Sequence, residues 1–361
     1  MKILLLEAFF GGSHQQWAEG FQKHSAHEVK ILSMPPKYWK WRMHASAIEF
    51  ARKFEEMDFQ PDLILVTDMM DLALFKALSK TSLPCFLYFH ENQLTYPWSI
   101  KDDDIKQGRD NHYGFMNYTS TLLADKVFFN SSYHRNSFLT ALEAFLKIMP
   151  DKKNLDTVDQ IRNKSAVLHL GMDLAPLASA KNSSNQIPII LWNHRWEYDK
   201  NPEEFFQALF TLKAKGFEFQ VIVLGESYAN APAVFDKARE QLKEEIIHFG
   251  YAESRAAYDL LLTKADILPV SSKQDFFGGS IVEAIAAGCY PLLPDRLNYP
   301  ALIPDLSHAQ HLYKGELVQA LESLLQKWKQ MKSSDEIRRH VLQFDWKNII
   351  ATYDQVLNPL Q

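Results

Sequence analysis

The chain has 361 residues, 47% of them hydrophobic, and a formal net charge of -5. Its length exceeds what one core commonly fills, so two domains are expected. The mildly acidic total excludes a global polyanion-binding surface and leaves any RNA contact local. Cys85 and Cys289, the only cysteines, both lie in apolar stretches. A disulfide framework and a cysteine zinc site are thereby excluded, which fits a cytoplasmic protein.

The opening MKILLLEAFFGGSHQQW carries a short apolar run and no cleavage pattern, so it is read as a first strand and not as a signal peptide. No run approaches the roughly 18–20 apolar residues of a membrane span. Along the first half, apolar runs at 2–8, 27–34, 61–68, 84–90, 125–131 and 165–171 alternate with amphipathic segments at 15–24, 45–57, 70–78, 113–124 and 133–145. That alternation predicts strand–helix units on a parallel sheet. The polar stretch KNSSNQ, 181–186, reads as a linker. Beyond it the pattern restarts with strands at 187–194, 218–225, 246–252, 265–272 and 288–294. The expectation is an α/β chain of two Rossmann-like, doubly wound domains facing a central cleft. They span 1–180 and 181–343, and a last helix in 344–361 is expected to pack back on the first domain.

In open parallel sheets ligands gather beyond the carboxyl ends of the strands, where helix-start amides favour anions. The first such turn holds Gly11, Gly12 and Ser13, with His14 next in sequence. It serves equally as a phosphate cradle or as a plain tight turn. After the third strand comes Asp68, a carboxylate for an acceptor or a helix cap. After the fourth, FHENQLTYPW places His90, Glu91 and Asn92 together as a polar cluster. FNSSYHRNSF offers Asn130 and Arg135, while Ser131 and Ser132 suit an N-cap.

In the second half, LWNHRWEYDKNP puts Arg195 and Lys200 between a strand and a helix opened by proline, either as surface charges or as counter-charges for a diphosphate leaving group. Gly225 closes the next strand. SSKQDFFGGSIVEAIAAG then sets Asp275 ahead of Phe277, Gly278, Gly279 and Ser280, with Glu283 one turn into an apolar helix. The amides suit a diphosphate with the helix dipole behind them. A carboxylate flanked by Val282, Ala284 and Ile285 is costly unless it has a partner. The plainer alternative makes Asp275 a cap and Glu283 a surface residue.

This last stretch resembles the acid-x7-acid signature of the retaining, GT4-like glycosyltransferases of GT-B fold. The resemblance implies that Asp275 contacts the transferred sugar, that Gly278–Ser280 and the Arg195 and Lys200 pair hold the diphosphate, that Glu283 binds the ribose, and that His90 bonds the sugar. Asp275 departs from the Glu more common there, which affects sugar placement. LLEAFFGGSHQQW, PPKYWKWRMH, TDMMDLA, YFHENQLTYP, GFMNYTS, FNSSYHRNSF and LWNHRWEYDKNP together resemble the tRNA-queuosine mannosyltransferase family over nearly the whole chain.

That resemblance implies mannose transfer from GDP-mannose to the queuosine of tRNA-Asp, with no metal or other cofactor required and no protein partner. Lys37–Arg42 interleaves cations with aromatics, so Lys40, Trp41 and Arg42 are candidates for RNA contact, or else fill a domain edge. The polar segments 101–104 and 107–112 either close over the acceptor or are solvated. Two rivals remain: a GT4-like enzyme with another sugar nucleotide and a lipid or saccharide acceptor, and a catalytically silent module binding RNA or nucleotide. The absence of a GxGxxG turn excludes a dinucleotide oxidoreductase.

Overall fold

The computed structural model describes residues 1–98, 104, 111–179, 185–226, 231–328 and 335–359. Residues 181–184 of the expected linker, and 101–103 and 107–110 of the polar segments, lie outside these. The chain forms two compact units, Met1–Met172 with Trp346–Gln361, and Asp173–Asp345.

In the first unit, β1 (Lys2–Glu7), β2 (Glu28–Ser33), β3 (Leu63–Thr67), β4 (Cys85–Phe89), β5 (Lys126–Phe129) and β6 (Ser165–Val167) form a sheet in the order β2-β1-β3-β4-β5-β6, every pair parallel. A parallel sheet covered on both faces needs strands apolar on both sides. KILLLE meets that demand: Leu4 and Leu6 pack with Met43, Phe50 and Phe75, while Ile3 and Leu5 pack with Trp17, Phe21 and Tyr353. The second face takes in the helix Trp346–Val356, 170 or more residues beyond the rest of its unit. Trp17 Nε1 donates to the Tyr353 hydroxyl at 2.9 Å, and that hydroxyl donates to the His169 carbonyl at 2.6 Å. Trp346 lies in the gap left by two glycines, because a Cβ at Gly20 or Gly171 would come within 2.1 or 2.3 Å of its ring.

In the second unit, β7 (Ile189–Asn193), β8 (Gln220–Leu224), β9 (Ile246–Gly250), β10 (Ile267–Pro269), β11 (Tyr290–Pro294) and β12 (Leu312–Tyr313) run in the order β12-β11-β10-β7-β8-β9, again parallel. The division falls at Met172/Asp173, ahead of the polar stretch read as a linker. The short helix Ala175–Ala178 belongs to the second unit because the Arg338 guanidinium holds the Leu177 and Ala178 carbonyls, at 2.9 and 2.7 Å.

Strand order locates the sites. It reverses between β1 and β3 in the first sheet and between β7 and β10 in the second, and the carboxyl ends of the strands at such a reversal are where ligands bind. Glu7 and Asp68 stand at those ends in the first unit, with His90 at the end of the neighbouring β4; Asn193, His194 and the loop leading to Asp275 stand there in the second. Among the described residues, no helix is long and apolar enough to cross a membrane.

Candidate active site

In the second unit the segment after β7 turns through Asn201, held at φ 54°, so that Lys200 folds inward. Its ammonium donates to the Gln274 carbonyl at 2.6 Å and lies 2.9 Å from Asp275 Oδ1 and 3.1 Å from Asp199 Oδ2. The other Asp275 oxygen accepts the Tyr299 hydroxyl. Burial raises the Asp275 carboxyl, but the Lys200 charge, His194 and these hydrogen bonds hold it below the usual carboxylate range. The same pair of aspartates outweighs burial at Lys200 and raises its ammonium. Asp275 is therefore an ionised carboxylate in the interior and not a helix cap. The cap position is taken by Gly278, at φ 93°.

The helix Gly279–Ala286 starts there; the amides of Ile281 and Val282 bond the Gly278 carbonyl at 3.0 Å, which leaves those of Gly279 and Ser280 without an intrahelical acceptor. Asn193 Nδ2 donates to the Ser280 carbonyl at 2.7 Å and the Ser280 hydroxyl meets His194 Nδ1 at 3.1 Å, so the end of β7 carries this turn directly. Burial, with the Lys200 charge adding, drives His194 down to about 4 against the pull of Asp275 and Asp199, leaving a neutral imidazole. The Phe277 side chain is buried edge-on to Phe344, and its carbonyl accepts from Asn298 Nδ2 at 2.9 Å. Gly225 sits at φ 141°, with the space of a Cβ filled by the His194 carbonyl 2.1 Å away. Arg195 is half exposed and paired with Glu197 at 3.2 Å.

Glu283 is buried, not a surface residue. Arg255 Nη1 donates to its Oε1 at 2.6 Å and the Tyr258 hydroxyl to its Oε2 at 2.9 Å. Burial raises its carboxyl and Arg255 and Tyr258 partly offset the rise.

In the first unit the predicted residues gather around His90. Its amide donates to Asp68 Oδ1 at 2.7 Å, and its carbonyl accepts from Asn130 Nδ2 at 2.9 Å. Asp68 is thus not a helix cap; Asp71 takes that role by accepting from the Leu74 amide. Asn130 also meets His134 Nδ1 at 2.9 Å, and Ser131 caps the helix Ser132–Lys147. Asn92 is consumed by its own turn, accepting from the Leu94 and Thr95 amides, while Glu91 accepts from Gln93. Gly11 precedes the helix Gly12–His24 and Gly12 lies at φ 54°, with Ser13 in its first turn. His14, from that turn, lies against the His90 ring, with centroids 4.1 Å apart. Burial pushes Asp68 well above its usual range, and Glu91 and Glu7 add to this against the His14 charge.

Arg135 does not join this cluster. Its guanidinium bonds the Arg162 carbonyl and ties two helices together. Lys40 is committed to Asp104 at 2.6 Å and lies over the Trp39 and Trp98 rings, so it is not an open phosphate contact. Arg42 donates to the Pro35 carbonyl at 3.4 Å, and Trp41 is exposed beside Tyr38, which is held at φ 56°.

Sequence reasoning did not find Glu7, His194, Arg255, Tyr258 or Tyr299. Arg255 and Tyr258, three residues apart on one helix face, were detectable only as a spacing. Glu7 was visible as a carboxylate closing an apolar strand.

Residues 2–172 match the family model described as tRNA-queuosine alpha-mannosyltransferase N-terminal, and residues 177–341 that of glycosyl transferases group 1. The chain is 35% identical over 314 residues to a tRNA-queuosine alpha-mannosyltransferase of Drosophila melanogaster, covering 84% of this chain and 81% of that one. It is 22% identical over 170 residues to a GDP-mannose:cellobiosyl-diphosphopolyprenol alpha-mannosyltransferase of Xanthomonas campestris, covering 45% of each. In fold it resembles the sucrose-phosphate synthase of Thermosynechococcus elongatus, with TM-score 0.73 at 15% identity, over 100% of this chain and 99% of that one. The catalytic domain of starch synthase IV from Arabidopsis thaliana, with ADP and acarbose bound, gives 0.69 at 12% identity, over 99% and 98%. The architecture is GT-B.

Proposed function

Since the chain belongs to the tRNA-queuosine alpha-mannosyltransferase family, we propose that it transfers mannose from GDP-mannose to the queuosine of tRNA-Asp, retaining the configuration at the anomeric carbon. It is a glycosyltransferase. The observation that supports this assignment of its site most directly is the Lys200–Asp275 pair beside the Gly278–Ser280 turn. Negative charge grows on the departing diphosphate as the glycosidic bond breaks. The Lys200 ammonium, Arg195 and the amides of Gly279 and Ser280 are the groups suited to meet it. Within the second unit Glu283 accepts the ribose hydroxyls and Asp275 orients the mannose; within the first unit His90 is the group suited to a sugar hydroxyl; and the leaving phosphate oxygen takes the proton of the attacking hydroxyl, so no protein base is required. Asp68 and Glu91 are the carboxylates on the acceptor side. GDP-mannose as donor draws support from the name of the Xanthomonas relative. The reaction takes place in the cytoplasm.

The test is transfer from radiolabelled GDP-mannose to queuosine-containing tRNA, beside UDP-glucose and queuosine-free tRNA. Label in the first tRNA alone is expected. Hydrolysis of GDP-mannose with no label in tRNA would discard the acceptor, and label from UDP-glucose would discard the donor.

A further inference from the structure

Glu7 closes β1 fully buried, a position where a carboxylate needs partners. Its Oε1 accepts the Phe9 amide at 2.9 Å; its Oε2 lies 3.3 Å from His14 Nδ1 and 4.0 Å from His90 Nε2. The His14 ring lies against His90 with planes tilted by 34°. His90 is fixed from every other side. Its backbone is bonded to Asp68 and Asn130, and its ring meets Trp17 edge-on at 4.6 Å and Tyr88 at 5.0 Å. Yet its buried Nε2 has no hydrogen-bond partner among the described residues. A strand end, a helix start and a second strand end converge here, and the convergence leaves one imidazole nitrogen for something else.

The donor atoms of Glu7, His14 and His90 lie within 4.8 Å of one another, but the packing is that of an ion pair and not of metal ligands. With metal–nitrogen bonds of about 2.1 Å and tetrahedral angles, two imidazoles on one metal hold their ring centres about 5 Å apart, and here the centres are 4.1 Å apart with the planes tilted by 34°.

Resting on the functional reading above, we propose that Glu7 is a positioning residue, holding His14 as an imidazolium against the His90 ring so that the neutral His90 ring keeps its Nε2 aimed at one hydroxyl of the transferring sugar. Burial pulls His14 down, but the Glu7 charge and hydrogen bond, then Asp68 and Glu91, overcome it and raise His14 to about 9. Burial drives His90 well below the ordinary range, and the His14 charge adds to that, with a lesser contribution from His134. One imidazole is thus charged and the other neutral across the whole physiological range. The sign for His14 follows directly: its folded value is raised, so the ion pair is complete at neutral pH and is lost as pH rises through about 9. Above that, Glu7 is an unpaired buried charge and the His90 ring loses the cation that orients it.

The experiment uses the full chain with isotopically labelled histidine, as wild type, Glu7→Gln and Glu7→Asp. Imidazole titration is followed by NMR and mannosyl transfer over the same pH series; circular dichroism checks folding, and His14→Gln assigns the resonance. The wild type is expected to show one histidine titrating near 9. In Glu7→Gln that resonance falls to the ordinary histidine range or below it, because burial then acts against Asp68 and Glu91 alone; the alkaline limb of kcat moves down with it, and kcat at neutral pH falls about a hundredfold with little change in donor KM. Glu7→Asp restores part of both. No histidine titrating above the ordinary range, an unchanged kcat in folded Glu7→Gln, or one bound zinc per chain in the native protein would each overturn the proposal. A wild type that transfers no sugar would sink the functional reading instead, and the His14 titration alone would then decide the pair.

Discussion

Lys200 Nζ lies 2.9 Å from Asp275 Oδ1 in the interior of the second unit, although 75 residues separate them. The pair is both a fold element and a candidate catalytic element, and the two roles separate on mutation. Lys200→Met takes the counter-charge from two carboxylates, Asp275, which keeps the Tyr299 hydroxyl, and the buried Asp199, a change that costs about 3–5 kcal/mol. Transfer should fall by roughly two to three orders of magnitude. Because Lys200 and its neighbours depress the Asp275 carboxyl, the stability it contributes is present at neutral pH and is lost as pH falls through its lowered folded value. Chemical denaturation of wild type and Lys200→Met along a descending pH series checks this. The difference between the two should narrow in acid, and a constant difference would remove the ion pair from the account.

Arg255 plays the same part for Glu283. Burial raises the Glu283 carboxyl, and a ribose diol needs it ionised as an acceptor. Arg255→Met should therefore weaken sugar-nucleotide binding at neutral pH by about 10- to 100-fold, the worth of a charged hydrogen bond. The loss should deepen as pH falls. Calorimetry of donor binding to the two proteins at several pH values reads this directly, and equal affinities would leave Arg255 a surface partner only.

Gly225 and Gly12 make a matched pair of tests. Both have positive φ, but a Cβ at Gly225 would meet the His194 carbonyl at 2.1 Å, while at Gly12 nothing lies within 4 Å. Gly12→Ala pays only the left-handed backbone, about 1–2 kcal/mol. Gly225→Ala must also displace the strand end that carries His194, so thermal unfolding should show the larger loss there, with donor binding weakened. Equal shifts in Tm would mean that the β7 end yields easily.

How much of this was legible before the structure depends on the range of the signal. The strands were, because a sheet buried on both faces demands runs such as LILV and FLYF that few other elements share. Leu312–Tyr313 was not: two residues carry no period. The helix starting at Trp39 was placed six residues late, since its first turn interleaves cations and aromatics and breaks the apolar stripe. Asp275, Gly278 and Glu283 were legible as one motif at fixed spacing. Their partners Tyr299, Arg255 and Tyr258 were not, because a hydrogen bond between residues 24–28 apart leaves no trace in local pattern. Arg135 and Lys40 show the converse error, being cations in the right neighbourhood with structural partners that only three dimensions reveal.

Removal of residues 346–361 should unfold the first unit selectively. Trp346 and Tyr353 are almost wholly buried against Trp17 and Phe21, and deleting one such aromatic costs about 3–5 kcal/mol. Hydrogen exchange on a chain ending at Asp345 should show protection lost across β1–β6 and kept in β7–β12. Uniform protection would refute the packing role of this helix.

Trp41, in the first turn of the helix Trp39–Glu56, and Tyr38, the left-handed residue that precedes it, are both exposed. Lys40 between them is committed to Asp104. Stacking, and not charge, is therefore the contact this turn has to offer a splayed base. Trp41→Ala should raise KM for tRNA about tenfold, from a stacking contact worth roughly 1–3 kcal/mol, and leave donor affinity unchanged. Trp41→Phe should recover most of the loss. Lys40→Gln frees Asp104 and loosens the Trp98 contact, so it should act through stability more than through salt-dependent RNA affinity. Kinetics at two ionic strengths separate the two: a Trp41→Ala protein with wild-type KM for tRNA would place the RNA contact elsewhere.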